Sequence, residues 1–160
     1  MYSLHLRQMT LAGTLLLVIG SLCQPSALAR QENLSAEEKE ALQKAKGPEQ
    51  ELKLWLGIAE SRMKDIVFHT RKLDKANSAK AVSGFRTAVI SAEDCVANAQ
   101  GEKSYRKLLT QLHKAMKKYN FALLQALDKA AEDFRQYIQS AFEASQRVQD
   151  AAEIQMARFN

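Results

Sequence analysis

Residues that interrupt helices are scarce in this 160-residue chain, which has six glycines and two prolines. Neither residue type occurs after Gly101. Glycine and proline punctuate turns and strand ends, so their scarcity argues against a fold built from many short strands. Apolar residues instead recur at steps of three and four, which predicts helices packed against helices.

Sequence motifs of common catalytic sites are also missing from residues 30–160. This segment contains no GxSxG, HExxH, paired CxxC or phosphate-binding glycine loop. The Glu-x-x-His pairs of di-iron bundles are absent as well, because Ile66 and Thr110 lie three residues before His69 and His113. We therefore expect a non-catalytic protein without a cofactor.

Three residues are the weak candidates for chemistry. Asp65 and His69 lie four apart, a spacing at which two side chains of one helix can bind a metal, although two ligands are too few for a site. The alternative for this pair is an ion pair on a solvent-facing helix surface. Cys95 is the only cysteine after residue 29, so it has no disulfide partner there, and we expect it to pack as a small buried residue.

The first 29 residues have the layout of a secretory signal peptide. Arg7 is their only fixed charge, an apolar run follows from Met9 to Leu22, and a small-residue site ends at Ala29, after which cleavage is expected. The run is about 14 residues, shorter than the ~20 of a membrane-spanning helix. An uncleaved anchor and lipid attachment at Cys23 are the alternatives, the latter disfavoured by the bulky Leu22 before it.

Export shapes the expectations for the rest of the chain. Residues 30–34 are predicted to be a flexible start, and residues 35–160 a single helical domain. The protein is expected in the periplasm or outside the cell, without a transmembrane segment once the signal peptide is removed. Its net charge of +5 is modest, and an exported protein would rarely meet nucleic acid, so none is expected as a partner.

Three helices are predicted before Gly101, over residues 35–46, 48–76 and 77–100. The first starts at a capping box of Ser35 and Glu38, and the third at a side-chain cap supplied by Asn77 or Ser78. Gly57 and Gly84 lie inside the second and third helices, where each costs about 1 kcal/mol. Close contact between the two backbones is the predicted compensation.

The apolar seam of residues 102–160 is longer than either preceding helix. One continuous helix would be roughly 89 Å long and would extend well past its neighbours. A break is expected at Ala130–Asp133, with Asp133 as the cap, and Tyr119–Asn120 is the weaker alternative. The predicted fold is therefore all-α, an antiparallel bundle or array of about four long helices plus a short N-terminal helix.

A stripe of basic residues follows the seam on the opposite side of the fourth helix. It consists of Lys103, Arg106, Lys107, Lys114, Lys117 and Lys118. Two interpretations stay open: a solvated outer face of a bundle helix, or a surface that binds anionic lipid head groups, an acidic polymer or an acidic protein. Positive charge at a helix N-terminus interacts unfavourably with the helix macrodipole. Because this placement does not stabilise the helix, it favours the binding interpretation.

Two phenylalanines, Phe121 and Phe142, lie off the main apolar seam. They suggest a second contact surface, such as the seam of a homodimer. A protein partner or a homo-oligomer is accordingly expected.

The segments Ala59–Lys64 and Lys75–Ser78 and the spacing of Leu109, Leu112 and Met116 resemble uncharacterised exported bacterial proteins made of helical hairpins. The resemblance covers most of residues 30–160, and it implies a helical, envelope-located protein without known functional residues. The hairpins are also similar to tetratricopeptide-like helix pairs, but no repeat of their roughly 34-residue length is present.

Together these features lead to one main functional hypothesis and two alternatives. The main hypothesis is an exported, non-catalytic helical protein that acts through protein–protein contacts in the periplasm or cell envelope. The first alternative is binding to an anionic envelope surface through the basic stripe, and the second is a metal-binding or enzymatic helical bundle.

Overall fold

The computed structural model describes residues 33–159, which contain five helices and no strand. Their bounds are α1 Ala36–Gln43, α2 Pro48–Arg71, α3 Lys75–Asn98, α4 Tyr105–Leu127 and α5 Glu132–Ala157. Four long helices and a short N-terminal one confirm the predicted all-α bundle. The predicted signal peptide, with Cys23, lies outside the described residues.

The four long helices form two antiparallel hairpins, α2 with α3 and α4 with α5. In the first hairpin, the Cys95 thiol near the end of α3 donates to the Pro48 carbonyl at the start of α2, 3.4 Å away. In the second, Asn120 of α4 contacts Ser145 of α5, and His113 lies 2.8 Å from Glu153. Short connections therefore fold each hairpin back on itself.

Between the hairpins, corresponding helices run in the same direction. Lys107 Nζ donates to Glu49 at 2.7 Å and Lys118 Nζ to Glu60 at 3.0 Å, and both pairs join residues 58 positions apart. Near the starts of α3 and α5, Lys75 Nζ lies 3.5 Å from Asp133, again 58 positions along the chain. The two hairpins therefore pack side by side in the same orientation. Helix α4 packs mainly against α5, its own hairpin partner, and against α2 of the first hairpin.

The buried residues of the two hairpins repeat at one constant shift along the chain. In α2 and α4 the matching buried pairs are Leu52 with Leu109, Trp55 with Leu112, Ala59 with Met116 and Ile66 with Leu123. In α3 and α5 they are Ala81 with Ile138, Ala88 with Ser145 and Cys95 with Ala152. Each hairpin is therefore one structural unit, and the pair buries a shared core as stacked helical repeats do.

Phe85 lies at the junction of the two units. Its side chain is fully buried, and its ring meets that of Tyr119 edge to face with centroids 6.0 Å apart. The Tyr119 hydroxyl donates to the Leu56 carbonyl at 2.7 Å, so α4 is hydrogen-bonded to α2 within this contact. Burial raises the pKa of Tyr119, which keeps the hydroxyl protonated as a donor.

The short helix α1 is attached to α2 by a charged pair. The predicted capping box of Ser35 and Glu38 is confirmed, and Arg62 donates to both Glu38 carboxylate oxygens at 2.8 and 3.0 Å. Arg62 also donates to the Asn33 carbonyl, and Leu34 packs against the core. Asn33 and Leu34 are the part of the segment 30–34 that the structure describes, and both contact the bundle.

The turn between α2 and α3 differs from the prediction. Helix α2 ends at Arg71 rather than Ala76, and Leu73 has a left-handed backbone with φ of 56°. The Asp74 side chain, not Asn77, caps α3, because its carboxylate accepts from the Asn77 backbone N–H at 3.0 Å. The Asn77 side chain also donates to this carboxylate, and together these bonds lower the pKa of Asp74.

The predicted break in the long C-terminal seam is confirmed at Asp128–Ala131, but the predicted cap is wrong. Ala131 occupies the N-cap position of α5 without a side-chain hydrogen bond. Asp133 lies inside the first turn instead, together with Glu132. Two acids there favour the helix start through the macrodipole rather than through a capping bond.

The prediction that both helical glycines mark close backbone contacts is also wrong. A Cβ at Gly57 would have no heavy atom within 4 Å, and the position is exposed. A Cβ at Gly84 would lie 3.1 Å from the Cδ and Nε atoms of Arg62, so this glycine accommodates a side chain rather than a backbone.

These two glycines give a matched pair of substitutions. Gly57→Ala is expected to raise the free energy of unfolding by about 1 kcal/mol, because it adds helix propensity without a clash. Gly84→Ala should gain clearly less or lose stability, since the new methyl group displaces the Arg62 side chain that holds Glu38. Urea unfolding of both variants measures the difference, and equal gains would contradict the role given to Arg62.

Candidate functional site

All six residues of the predicted basic stripe lie exposed along α4 or just before it. The apolar seam of this helix, including Leu109, Leu112, Met116 and Leu123, faces the core, which turns the stripe outward. The spacing of three and four residues therefore sorts this helix into an inner and an outer side as the sequence predicted.

Two residues of the stripe are engaged with α2. Lys107 and Lys118 make the ion pairs with Glu49 and Glu60 that align the two hairpins. The hydrogen bond from Lys118, followed by that from Lys64, holds the pKa of Glu60 below its ordinary value. Exposed pairs of this kind contribute at most about 1 kcal/mol each, but they occupy the two lysines on the α2 side of the stripe.

The other four basic residues have no ion pair within the described residues 33–159. They are Lys103, Arg106, Lys114 and Lys117. At 100° per residue, Arg106, Lys114 and Lys117 fall within one arc of about 80° on the helix, turned away from α2, and Lys103 lies two residues before the helix begins. The structure thus divides the stripe into a structural pair and a set of four exposed cations.

Two exposed apolar side chains continue the same arc toward the end of α4. Phe121 is 64% exposed and Leu124 is 45% exposed. Phe121 lies two turns beyond Lys114, and Leu124 lies two turns beyond Lys117, so all four share one side of the helix. We call Lys103, Arg106, Lys114, Lys117, Phe121 and Leu124 the α4 outer face.

Phe121 is predicted from the sequence to lie off the main seam, whereas Leu124 and its alignment with the cations are not predicted. The signal was available as the seven-residue spacing of Lys114 with Phe121 and of Lys117 with Leu124. This spacing alone does not decide the matter, because Phe121 and Leu124 could equally belong to a wider apolar seam that packs on the core.

The stretch of chain from Lys103 to Leu124, which carries the α4 outer face, contains no carboxylate. Glu102 precedes α4 and Asp128 follows its last residue, and no acid occurs between them in the chain. On the α5 side, Glu153 pairs with His113 at 2.8 Å, and this bond, with Gln149 and the nearby Lys117 charge, lowers the pKa of Glu153. The α4 outer face is therefore a positively charged strip with an apolar end.

The candidate metal ligands Asp65 and His69 have other partners. Asp65 lies 3.8 Å from Arg62, and His69 Nδ1 lies 3.7 Å from Asp74. Both line a cleft of about 360 Å³ beside α1, whose wall also includes Arg62 and Lys80. Within residues 33–159, no group of three or more His, Cys, Asp or Glu side chains is placed to hold a metal ion.

Cys95 is buried, as predicted, with 4% of its surface exposed. Burial, assisted by the nearby Glu51 charge, raises its pKa to about 11. The thiolate is the reactive form of cysteine, so this environment suppresses reaction with electrophiles.

The expected result for Cys95 is slow chemical modification in the folded protein. In a Cys23→Ser chain at pH 8, the raised pKa alone should make iodoacetamide labelling about a hundredfold slower than in the guanidinium-unfolded chain. Mass spectrometry of timed samples measures both rates. Rapid labelling of the folded chain would show that Cys95 is accessible and ionised.

One buried polar cluster joins α4 and α5. The Ser145 hydroxyl donates to the Asn120 side-chain oxygen, and the Asn120 amide donates to Gln149 at 2.8 Å and to Gln146 at 3.3 Å. The partners of Ser145 are an amide and a backbone carbonyl, neither of which is a general base. The cluster satisfies its own hydrogen bonds and fixes how the two helices align.

Comparison with protein-family models, with curated proteins and with solved structures finds no match to this chain. Among the helices of residues 33–159, none has the length and apolar character needed to span a membrane.

Proposed function

We propose that this protein is an exported, non-catalytic binding protein that attaches to an anionic surface of the cell envelope through the α4 outer face. The observation that carries the proposal is the set of four exposed cations without ion pairs in the described part of the chain. The stretch of α4 that carries them contains no carboxylate and supplies positive potential, which Glu153 of α5 meets only at its border. Export rests on the signal-peptide pattern of residues 1–29.

The arrangement of the charges supports binding rather than bundle stability. Lys103 and Arg106 lie at the N-terminal end of α4, where positive charge is unfavourable by about 0.3–1 kcal/mol per residue. Lys107 and Lys118 stabilise the contact with α2, but the other four basic residues make no such contact within residues 33–159. A ligand with negative charge would offset this cost.

The experiment that tests the function compares two variants of equal net charge. Lys114→Glu/Lys117→Glu reverses two charges on the α4 outer face, and Lys80→Glu/Arg86→Glu reverses two exposed charges on α3. Only the first variant should lose binding to an anionic surface. Equal binding by both variants would contradict the assignment of the function to α4.

A protein partner is the second candidate, and a separate surface favours it. Phe68 and Leu73 are 56% and 62% exposed at the turn between α2 and α3, away from the middle of α4. Apolar side chains of this size often mark protein contacts when they cluster. Light scattering of the full chain and of a Phe68→Ala/Leu73→Ala variant tests this candidate, which predicts self-association in the first and its loss in the second.

A further inference from the structure

The α4 outer face combines two features in a fixed order along one helix. The four cations occupy its first three-quarters, and Phe121 and Leu124 follow on the same side. From Arg106 to Leu124 the helix rises roughly 27 Å without interruption. The face is the outer side of a single helix, and it is convex across its width.

We propose that the α4 outer face lies flat on a bilayer containing anionic phospholipids, with Phe121 and Leu124 inserted between the lipid head groups. The inference rests on the proposed function and specifies the anionic surface as lipid. The cations contact lipid phosphates, and the two apolar side chains reach the boundary between head groups and acyl chains.

The small size of the apolar end favours a bilayer over a protein surface. A stable protein–protein interface buries about 800 Å² on each partner around a packed apolar centre. Two side chains that are already partly buried cover only a small part of that area. A bilayer needs no such centre, because each inserted side chain contributes independently.

The shape of the face points the same way. A protein partner would need a groove of at least about 27 Å, the rise from Arg106 to Leu124, to meet this convex face along its length. A planar surface meets them simultaneously, because they lie within one narrow arc of the helix. Phe68 lies on α2 and Leu73 in the turn after it, so neither residue belongs to this arc.

Charge and apolar insertion are both required in this arrangement. Each basic residue near an anionic membrane strengthens binding about fivefold, so four of them give weak and salt-sensitive adsorption. Apolar insertion alone is weak too, and stable attachment generally needs two such signals. The α4 outer face supplies both signals within one helix.

The experiment uses the full chain with Cys23→Ser and Gln125→Cys, carrying an environment-sensitive fluorophore at position 125. Gln125 is exposed and lies one turn beyond Phe121, so the fluorophore reports on α4 itself whatever else in the chain contacts lipid. With vesicles of equal parts phosphatidylcholine and phosphatidylglycerol, we expect a blue shift of its emission. A fluorophore on Ala79→Cys in α3 should show none.

The variant that tests insertion is Phe121→Ala/Leu124→Ala. It should bind the anionic vesicles about tenfold to a hundredfold more weakly than the parent chain, and bind soluble polyphosphate equally well. Lys114→Glu/Lys117→Glu should lose binding to both. Circular dichroism confirms that each variant is folded, which is expected because every substituted side chain is exposed.

The contrary outcomes separate the bilayer inference from the proposed function. Undiminished vesicle binding by Phe121→Ala/Leu124→Ala, or an unshifted fluorophore at position 125, overturns the bilayer inference and leaves a purely electrostatic surface. Binding to polyphosphate but not to vesicles overturns it in favour of an acidic polymer. Undiminished binding of both ligands by Lys114→Glu/Lys117→Glu overturns the proposed function itself.

Discussion

Replacement of Phe85 by alanine is expected to lower the free energy of unfolding by about 3 to 5 kcal/mol. The side chain is fully buried where the two hairpins meet, and its ring packs edge to face on Tyr119. Alanine would leave a cavity between units that are otherwise joined mainly by parallel helix contacts. Since a domain of this size has about 5–15 kcal/mol of stability in total, the loss should be large in a urea titration.

Phe121→Ala is the matched control for this substitution. The residue type is the same, but Phe121 is 64% exposed on α4, so its loss should change stability by no more than about 0.5 kcal/mol. Similar effects at the two positions would mean that Phe85 does not hold the hairpins together or that Phe121 is covered in the folded protein.

The helices themselves could be predicted because each depends on local sequence. The capping box at Ser35 acts over three residues, and the apolar seam repeats with every turn. Errors arose where two local signals compete. Asp74 and Asn77 are both good N-cap residues, and the structure uses both, Asp74 as the cap and Asn77 as its hydrogen-bond donor.

The parallel stacking of the hairpins could not be predicted in the same way. The positions of buried residues repeat, but most of their identities do not: Trp55 matches Leu112, and Ala59 matches Met116. A core can keep its packing when large and small residues exchange between layers, so the repeat is preserved in burial and lost in sequence. The parallel arrangement becomes visible in contacts between the hairpins, such as the ion pair of Glu49 with Lys107.

The same limitation applies to the basic stripe. Its six members were recognisable from helical spacing, but nothing in their own sequence distinguishes Lys107 and Lys118 from the others. Their partners, Glu49 and Glu60, lie 58 residues earlier and become neighbours only through the parallel arrangement of α2 and α4. The fold therefore decides which cations remain available for a ligand.

Reversal of the charges at Lys114 and Lys117 is expected to weaken binding to anionic vesicles by about thirtyfold or more. Each basic residue near an anionic membrane contributes about 1 kcal/mol, so losing two removes about 2 kcal/mol, and the new carboxylates add repulsion. Both side chains are exposed and without an ion pair in the described residues, so the fold should be retained. Vesicle co-sedimentation over a lipid titration measures the change.

The most direct test compares Lys114→Glu/Lys117→Glu with Lys80→Glu/Arg86→Glu. The second variant carries the same net charge but alters α3, which lies diagonally across the bundle from α4. Both variants are co-sedimented with vesicles of equal parts phosphatidylcholine and phosphatidylglycerol. The α4 variant should bind much more weakly than the parent chain. The α3 variant should bind within about threefold of the parent chain, because its substituted residues lie beyond the short range of membrane attraction. Equal losses in the two variants would show that net charge alone governs binding, and would contradict a binding surface on α4.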